Sequence, residues 1–167
     1  MMDSITVALL DYNDAEMRRW RAWFHDHPEA LQLPCDIADA ETVEMLVKHL
    51  SSVVVFFAQK LRGDSGEEAS RNLLYENLAR HSADELMQQA QQGHQTVREF
   101  LESADEESLL TTLSFGSGER KFTASRRKMT VQVLVHEIRH WAQLATLLRQ
   151  QGFKTWNHDP LMVVELG

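Results

Sequence analysis

The sequence predicts an all-α fold in which four long helices form a bundle, with a small β-hairpin before the last helix. The 167 residues include only 3 prolines and 7 glycines, which favours long helices over a turn-rich β fold. Four long segments repeat apolar residues at intervals of three and four, the period of an amphipathic helix. No internal repeat or linker interrupts them, so we expect residues 1–167 to form a single domain with a sizeable core.

The first helical segment runs from about Ser4 to His27. Its inward stripe is predicted to contain Ile5, Leu9, Tyr12 or Asn13, Glu16, Trp20, Trp23 and Phe24. A connection over residues 28–35, which contains two prolines, separates it from the second helix. Asp39 is predicted to cap that helix, which then runs from Ala40 to about Leu61 and ends at Arg62-Gly63.

The third helix has a clear start, because Ser82 is followed three residues later by Glu85, the pattern of a capping box. It is predicted to extend to about Ala104. One face of it carries the residues Leu86, Ala90, His94, Val97 and Leu101. Asp105 or Glu106 is predicted to begin a short extra helical turn.

The hairpin and the last helix follow. Residues that favour strands lie on both sides of Gly116-Ser117-Gly118, which predicts a two-stranded hairpin with its turn at these glycines. Ser125 is predicted to cap the fourth helix, which extends to Gln151 and is stopped by Gly152.

Composition excludes several classes of protein. The net charge of −8 argues against nucleic-acid binding, since no basic excess is present to neutralise phosphates. Cys35 is the single cysteine, which excludes an intrachain disulfide and fits a reducing compartment. The N-terminal stretch has no basic region typical of a signal peptide, and the longest apolar run, Val53 to Ala58, is too short for a bilayer. We therefore expect a cytoplasmic protein without membrane partners.

Eight histidines are present, and only some of them fall on apolar stripes. Those beside polar or loop residues are expected to be exposed: His25, His27, His81 and His158. His94 lies on the inward stripe of the third helix and is interpreted as a core or pocket residue.

Three further histidines suggest a metal site. His49 shares the inward stripe of the second helix, while His136 and His140 lie one turn apart on the fourth, close enough to coordinate one cation. Burying three imidazoles is costly unless their ring nitrogens are satisfied, and a divalent metal satisfies them. The alternative is a set of ordinary hydrogen-bonded core histidines.

The stretch HEIRH, residues 136–140, also matches the H-E-x-x-H signature of zinc proteases, in which Glu137 would be the general base. The extended form of that signature fails, because Gln143 and Thr146 stand where its glycine and third histidine would be. The sequence also lacks a convincing sheet to hold a peptide. A protease is therefore the less favoured interpretation.

Two long segments resemble the DinB-like family of four-helix metalloproteins. The segment HPEALQLPCDIADAETVEMLVKHLSSVVVFFAQKLRG resembles the second-helix region of that family, and TVQVLVHEIRHWAQLATLLRQQGF resembles its last helix. The resemblance places His49, His136 and His140 on the metal-ligand positions, and the family often carries a glutamate inside its H-x-x-x-H. Trp141-Ala142-Gln143 stands where many members have Arg-Gly-Gln.

The resemblance implies a four-helix fold with a three-histidine metal site, and it suggests a homodimer. Members of the family include thiol-dependent transferases and isomerases, hydrolases and many proteins of unknown role. Fold analogy alone does not choose among these activities.

Three neutral histidines leave a bound cation its full positive charge, so it would act as a strong Lewis acid. We expect one divalent metal ion, zinc by default, with nickel, iron or manganese as alternatives. The expected function is a metal-dependent enzyme, a thiol-dependent transferase or a hydrolase, acting on a small electrophile. A low-molecular-weight thiol is the candidate cosubstrate. The alternative is a non-enzymatic metal-binding or stress-associated protein.

Four further side chains are candidates for the site. Glu137 is the candidate catalytic residue, either accepting a histidine N–H or shuttling a proton, unless it simply pairs with Arg139. Tyr12, Asn13 and Gln143 are candidate polar groups of the pocket, with ordinary buried polar structure as the alternative for each.

Overall fold

The computed structural model describes residues 4–63, 78–115 and 122–160. The described part is mainly helical, which confirms the all-α prediction. Its long helices are α1 (Ser4–Asp26), α2 (Val43–Arg62), α3 (Ala83–Ser103) and α5 (Arg126–Gln150), with a 3-10 turn (Pro28–Gln32) and the short α4 (Glu106–Leu110) between them. The strands are β1 (Pro34–Ile37), β2 (Ala40–Thr42), β3 (Thr112–Phe115) and β4 (Phe122–Ser125).

The four long helices pack as a bundle. α1 and α2 each pack against both α3 and α5, so α1 and α2 lie at opposite corners. Fully buried apolar side chains from all four helices fill the interior. No helix among the described residues is long and apolar enough to cross a membrane.

Gly93 allows α3 to approach α2 closely. A Cβ atom at this position would lie 3.2 Å from Val54 Cγ1 and 3.4 Å from Ala58 Cβ, both on α2. The first distance is tighter than an ordinary van der Waals contact, so the spacing of these two helices depends on the absence of a side chain at residue 93.

The predicted helix ends are largely confirmed by their capping contacts. Ser82 Oγ accepts a hydrogen bond from Glu85 N, and Glu85 Oε2 accepts one from Ser82 N at 2.8 Å, which completes the capping box. Ser125 Oγ accepts from Lys128 N at the start of α5. Gly63 ends α2 in the left-handed conformation, with φ of 103°.

The predicted start of the second helix is wrong. Residues 34–42 form the hairpin β1–β2, and α2 begins at Val43 with Thr42, not Asp39, as its N-cap. Thr42 Oγ1 accepts from Met45 N at 3.2 Å. Asp39 instead lies in the hairpin turn, where Ala38 and Asp39 have φ of 53° and 61°. Aspartate tolerates the left-handed region but alanine rarely adopts it, so the turn stores backbone strain at Ala38.

The hairpin before the last helix is confirmed. β3 and β4 pair antiparallel from Thr112 opposite Ser125 to Phe115 opposite Phe122. The glycines predicted to form its turn, residues 116–118, lie outside the described residues.

Residues 153–160, called the tail below, lie across α1. Trp156 Nε1 donates to Glu16 Oε1 at 2.9 Å, and His158 Nδ1 lies 2.6 Å from Glu16 Oε2. Glu16 is fully buried, as its inward position predicted. His158, expected to be exposed, is mostly covered, because it packs against Glu16 on α1. That partner is distant in sequence, so the local pattern did not reveal it. Ile5, expected to point inward, is 71% exposed at the start of α1.

Candidate metal centre

Three histidines from two helices meet at the edge where α2 packs against α5. His49 comes from α2, and His136 and His140 come from α5. His49 Nε2 and His136 Nε2 are 3.2 Å apart, and one ring nitrogen from each residue lies within 4.8 Å of the other two. The structure therefore brings together the three side chains that the metal prediction requires.

Helical spacing accounts for this convergence. Leu46 and Leu50 are fully buried on α2, which turns the intervening His49 towards α5. On α5, the one-turn spacing of His136 and His140 places their ring centroids 4.4 Å apart on one face. His49 and His136 are only half-buried while His140 is buried, so the group lies near the bundle surface, within reach of a small molecule.

The surroundings of all three imidazoles favour the neutral form. Burial lowers the pKa of His49, and burial together with His49 lowers that of His140. Burial, the neighbouring His140 and His49, and then Arg139 lower the pKa of His136 to about 3. Neutral rings carry the lone pairs that a metal ion needs from its ligands.

The donor set fits a divalent ion. His49 Nε2 and His136 Nε2, 3.2 Å apart, are close enough for one ring to donate to the other, and equally for both lone pairs to be directed at a shared cation. Among the described residues, His136 Nδ1 is buried without a hydrogen-bond partner, so they do not satisfy this ring fully. An all-imidazole set suits zinc, nickel, iron and other first-row ions, and it supplies no negative charge.

Glu137 is not a surface ion-pair partner of Arg139. Its side chain is fully buried, and its Oε2 lies 2.8 Å from His94 Nε2 on α3 rather than beside Arg139. Its other oxygen, Oε1, has no hydrogen-bond partner among the described residues. Glu137 does accept from a histidine, but that histidine belongs to α3 and not to the triad. Its catalytic role stays a prediction.

His94 joins three helices in the centre of the bundle. Its Nε2 faces Glu137 on α5 and its Nδ1 lies 3.4 Å from Asp14 Oδ1 on α1. Burial opposes a charge on His94, but Glu137 and Asp14 outweigh it and raise its pKa to about 9. His94 is therefore an imidazolium at neutral pH, and both ring nitrogens donate.

His94 lies in the interior, as its inward stripe predicted, but the sequence did not reveal this charged network. The sequence did contain one signal, which is that polar residues lie on the inward stripes of the helices. A buried histidine and a buried carboxylate each need a partner, so a pairing between such residues could have been predicted. The partners themselves, 43 and 80 residues away, have no local signature.

The three candidate pocket residues have different surroundings. Gln143 adjoins the triad, and its side chain raises the pKa of His140 against the effect of burial. Asn13 Nδ2 donates to Leu134 O at 3.0 Å, and Tyr12 OH donates to His158 O at 2.9 Å, so both tie α1 to other parts of the chain. The assignment of these residues as pocket groups stays a prediction.

Two residues of opposite charge act on the triad, one before α2 and one on α5. Asp39, in the strained turn that precedes α2, raises the pKa of His49 against the larger effect of burial. Arg139 on α5 lowers the pKa of His136 and of His140. Both charged residues are exposed.

Comparison with known proteins agrees with this arrangement. The family model described as the DinB superfamily matches residues 37–144, a range that includes all three histidines of the triad. No curated protein and no solved structure matches the chain.

Proposed function

Because the chain belongs to the DinB superfamily, we propose that it is a divalent-metal-dependent enzyme, a thiol-dependent transferase or a hydrolase acting on a small electrophile. The observation that carries the proposal is the meeting of His49, His136 and His140, whose ring nitrogens lie within 4.8 Å of one another. Family membership supports a metal at this place, and the lowered pKa values support neutral ligands.

The three histidines would hold the ion, and zinc is the default. When bound, the ion supplies Lewis acidity that polarises a substrate oxygen or favours the thiolate form of a thiol. The position of the triad near the bundle surface gives a small molecule access to it. Gln143, which adjoins His140, offers an amide that can orient a substrate by donating or accepting a hydrogen bond.

The charged residues near the triad add a preference for polar substrates. Asp39 attracts a positively charged group, and Arg139 attracts a carboxylate or another anion. A small thiol that carries both an amine and a carboxylate matches this pair of charges. Exposed charges contribute more to orientation and encounter than to affinity.

Proteolysis is not part of the proposal. A zinc protease of this signature needs its glutamate to take a proton from water beside the metal. Glu137 is fully buried, and its Oε2 lies 2.8 Å from His94 Nε2 on α3, so this oxygen is already engaged away from the triad.

Elemental analysis of the purified protein tests the metal part of the proposal. We expect about one divalent ion per chain. His136→Ala and His140→Ala should each lose it, and His25→Ala, which changes an exposed histidine of α1, should retain it. Full metal content in both triad variants would contradict the proposal.

A screen of the metal-loaded protein with small thiols and electrophiles tests the enzymatic part. Turnover that requires the metal and is lost in His136→Ala supports an enzyme. Consumption of the electrophile only in the presence of a thiol identifies a transferase, and consumption without thiol identifies a hydrolase. Stoichiometric metal with no turnover across the screen would favour the non-enzymatic metal-binding alternative.

A further inference from the structure

Each histidine of the triad has a second ring nitrogen, which needs a partner of its own. His49 Nε2 and His136 Nε2 face each other at 3.2 Å, so these two rings meet through the same kind of nitrogen. A neutral histidine that binds a metal ion through Nε2 carries its hydrogen on Nδ1, and this N–H requires an acceptor. The residue that supplies the acceptor fixes the orientation of the ring.

The Nδ1 atom of His140 is a buried nitrogen without a partner. The residue is 4% exposed. Within the described residues, its Nδ1 is shielded from solvent and has no hydrogen-bond partner at ordinary distance and angle. A buried N–H without an acceptor is unfavourable and rare in native proteins, so we expect an acceptor close to this atom.

Gln143 offers such an acceptor. It follows His140 by three residues on α5, a spacing that brings two side chains to one face of a helix. Burial and then His49 lower the pKa of His140, whereas hydrogen bonding with the Gln143 side chain raises it, so the amide lies beside the ring. The contact is looser than an ordinary hydrogen bond, because Gln143 Oε1 is also buried without a partner among the described residues. An unfilled donor position and an unfilled acceptor are therefore neighbours.

Glu137, three residues before His140, is the other side chain at a suitable helical spacing. Its Oε2 lies 2.8 Å from His94 Nε2 on α3, so this carboxylate reaches into the centre of the bundle. Its Oε1 has no hydrogen-bond partner in the described part of the chain, and hence does not accept from His140 Nδ1. Of the two neighbours, Gln143 is the one whose side chain acts on the His140 ring.

We infer that Gln143 is a positioning residue of the metal site. Its Oε1 accepts a hydrogen bond from His140 Nδ1–H when the metal is bound, which fixes the ring tautomer and directs the Nε2 lone pair at the ion. The inference rests on the metal site proposed above and gives Gln143 a role within it. An amide has two donors besides its oxygen, so Gln143 can hold the ring through Oε1 and still donate to a substrate oxygen.

Zinc affinity, measured by competition with a chelator, tests the inference. Gln143→Met keeps the length of the side chain but removes the oxygen, so we expect zinc to bind about 10–100-fold more weakly. Gln143→Glu keeps an oxygen at the same distance along the side chain and should bind zinc at least as tightly as the wild type. Gln150→Met is the matched control, since it makes the same change at an exposed position of α5 and should leave the affinity unchanged.

A second measurement observes the hydrogen bond in the wild type and does not depend on the folding of a variant. In the zinc-loaded, ¹⁵N-labelled protein, the NMR shifts of the ring nitrogens should show His140 bound to zinc through Nε2 with its hydrogen on Nδ1. This hydrogen should exchange slowly with solvent. It should exchange faster in Gln143→Met and remain protected in Gln143→Glu. A residue that only filled space would not distinguish these two variants.

Three results would overturn the inference while leaving the metal site intact. They are ligation of zinc through His140 Nδ1, equal zinc affinity in the wild type and Gln143→Met, and equal weakening in Gln143→Met and Gln143→Glu. Failure of the wild type to bind zinc or another divalent ion would instead refute the proposed function, and the inference with it. The metal content of the wild type therefore separates the two kinds of failure.

Discussion

His94 donates a hydrogen bond from Nε2 to Glu137 Oε2 across 2.8 Å in the centre of the bundle, where both side chains are almost fully removed from solvent. The pair links α3 to α5, the helix that carries two of the triad histidines. Replacing both members of such a pair by apolar residues is often neutral, whereas removing one member leaves an uncompensated buried charge.

Breaking this pair should be costly. His94→Leu leaves the Glu137 carboxylate buried without its cation, and we expect a loss of about 3–5 kcal/mol in unfolding free energy. Glu137→Leu should cost a comparable amount, whereas the double variant should cost much less than the sum, since it removes both charges. Denaturant unfolding of the four proteins measures the coupling. Additive losses would show that the two groups do not stabilise each other.

Stability should decline on the alkaline side of neutrality. The pKa of His94 is raised in the folded protein from 6.5 to about 9, so between these values the folded state holds more protons than the unfolded state. The contribution is complete below pH 6.5 and is lost as the pH rises through about 9. Urea unfolding across this range should show the decline, and His94→Gln should flatten it. An unchanged slope in that variant would assign the decline to another group.

Metal affinity should resist mild acidification. The pKa of His136 is about 3 and those of His49 and His140 are lowered, so protons compete poorly for the triad in the metal-free protein. Competition with a chelator of known pH dependence should show a loss of less than about tenfold between roughly pH 7.5 and 5.5. A loss of several orders of magnitude, as expected for exposed histidines with ordinary pKa values, would contradict this prediction.

The strained turn before α2 can be relaxed. Ala38 has φ of 53°, where a Cβ atom costs about 1–2 kcal/mol that glycine avoids, against a smaller entropic penalty in the unfolded chain. We therefore expect Ala38→Gly to stabilise the protein by roughly 0.5–1 kcal/mol. Ala142→Gly, at an exposed position within α5, is the control and should destabilise by about 1 kcal/mol. Destabilisation by both changes would show that the turn carries no recoverable strain.

Features with a local cause were predictable from the sequence. Ser82, Ser125 and Gly63 act through neighbours within a few residues, and their caps could be identified from short patterns. The meeting of His49 with His136 and His140 also followed from local spacing, because each lies on the inward side of its own helix and the bundle brings those sides together.

Features that depend on distant partners were not predictable. The hairpin β1–β2 turns through Ala38 and Asp39, and alanine at the first of these positions gives no signal of a left-handed turn. His158 sits among polar neighbours, yet Glu16, 142 residues away, holds it against α1. A single sequence carries no record of such pairings, since they are decided by packing.

Gly93 touches none of the candidate metal ligands, yet it affects the packing of α2, the helix that carries His49. A Cβ atom there would press on Val54 Cγ1, five residues after His49 on the same helix, so α2 or its side chains would have to adjust to a larger residue. A substitution at residue 93 therefore tests whether ion binding depends on the spacing of these helices. Mutational surveys restricted to a shell around the triad would overlook it.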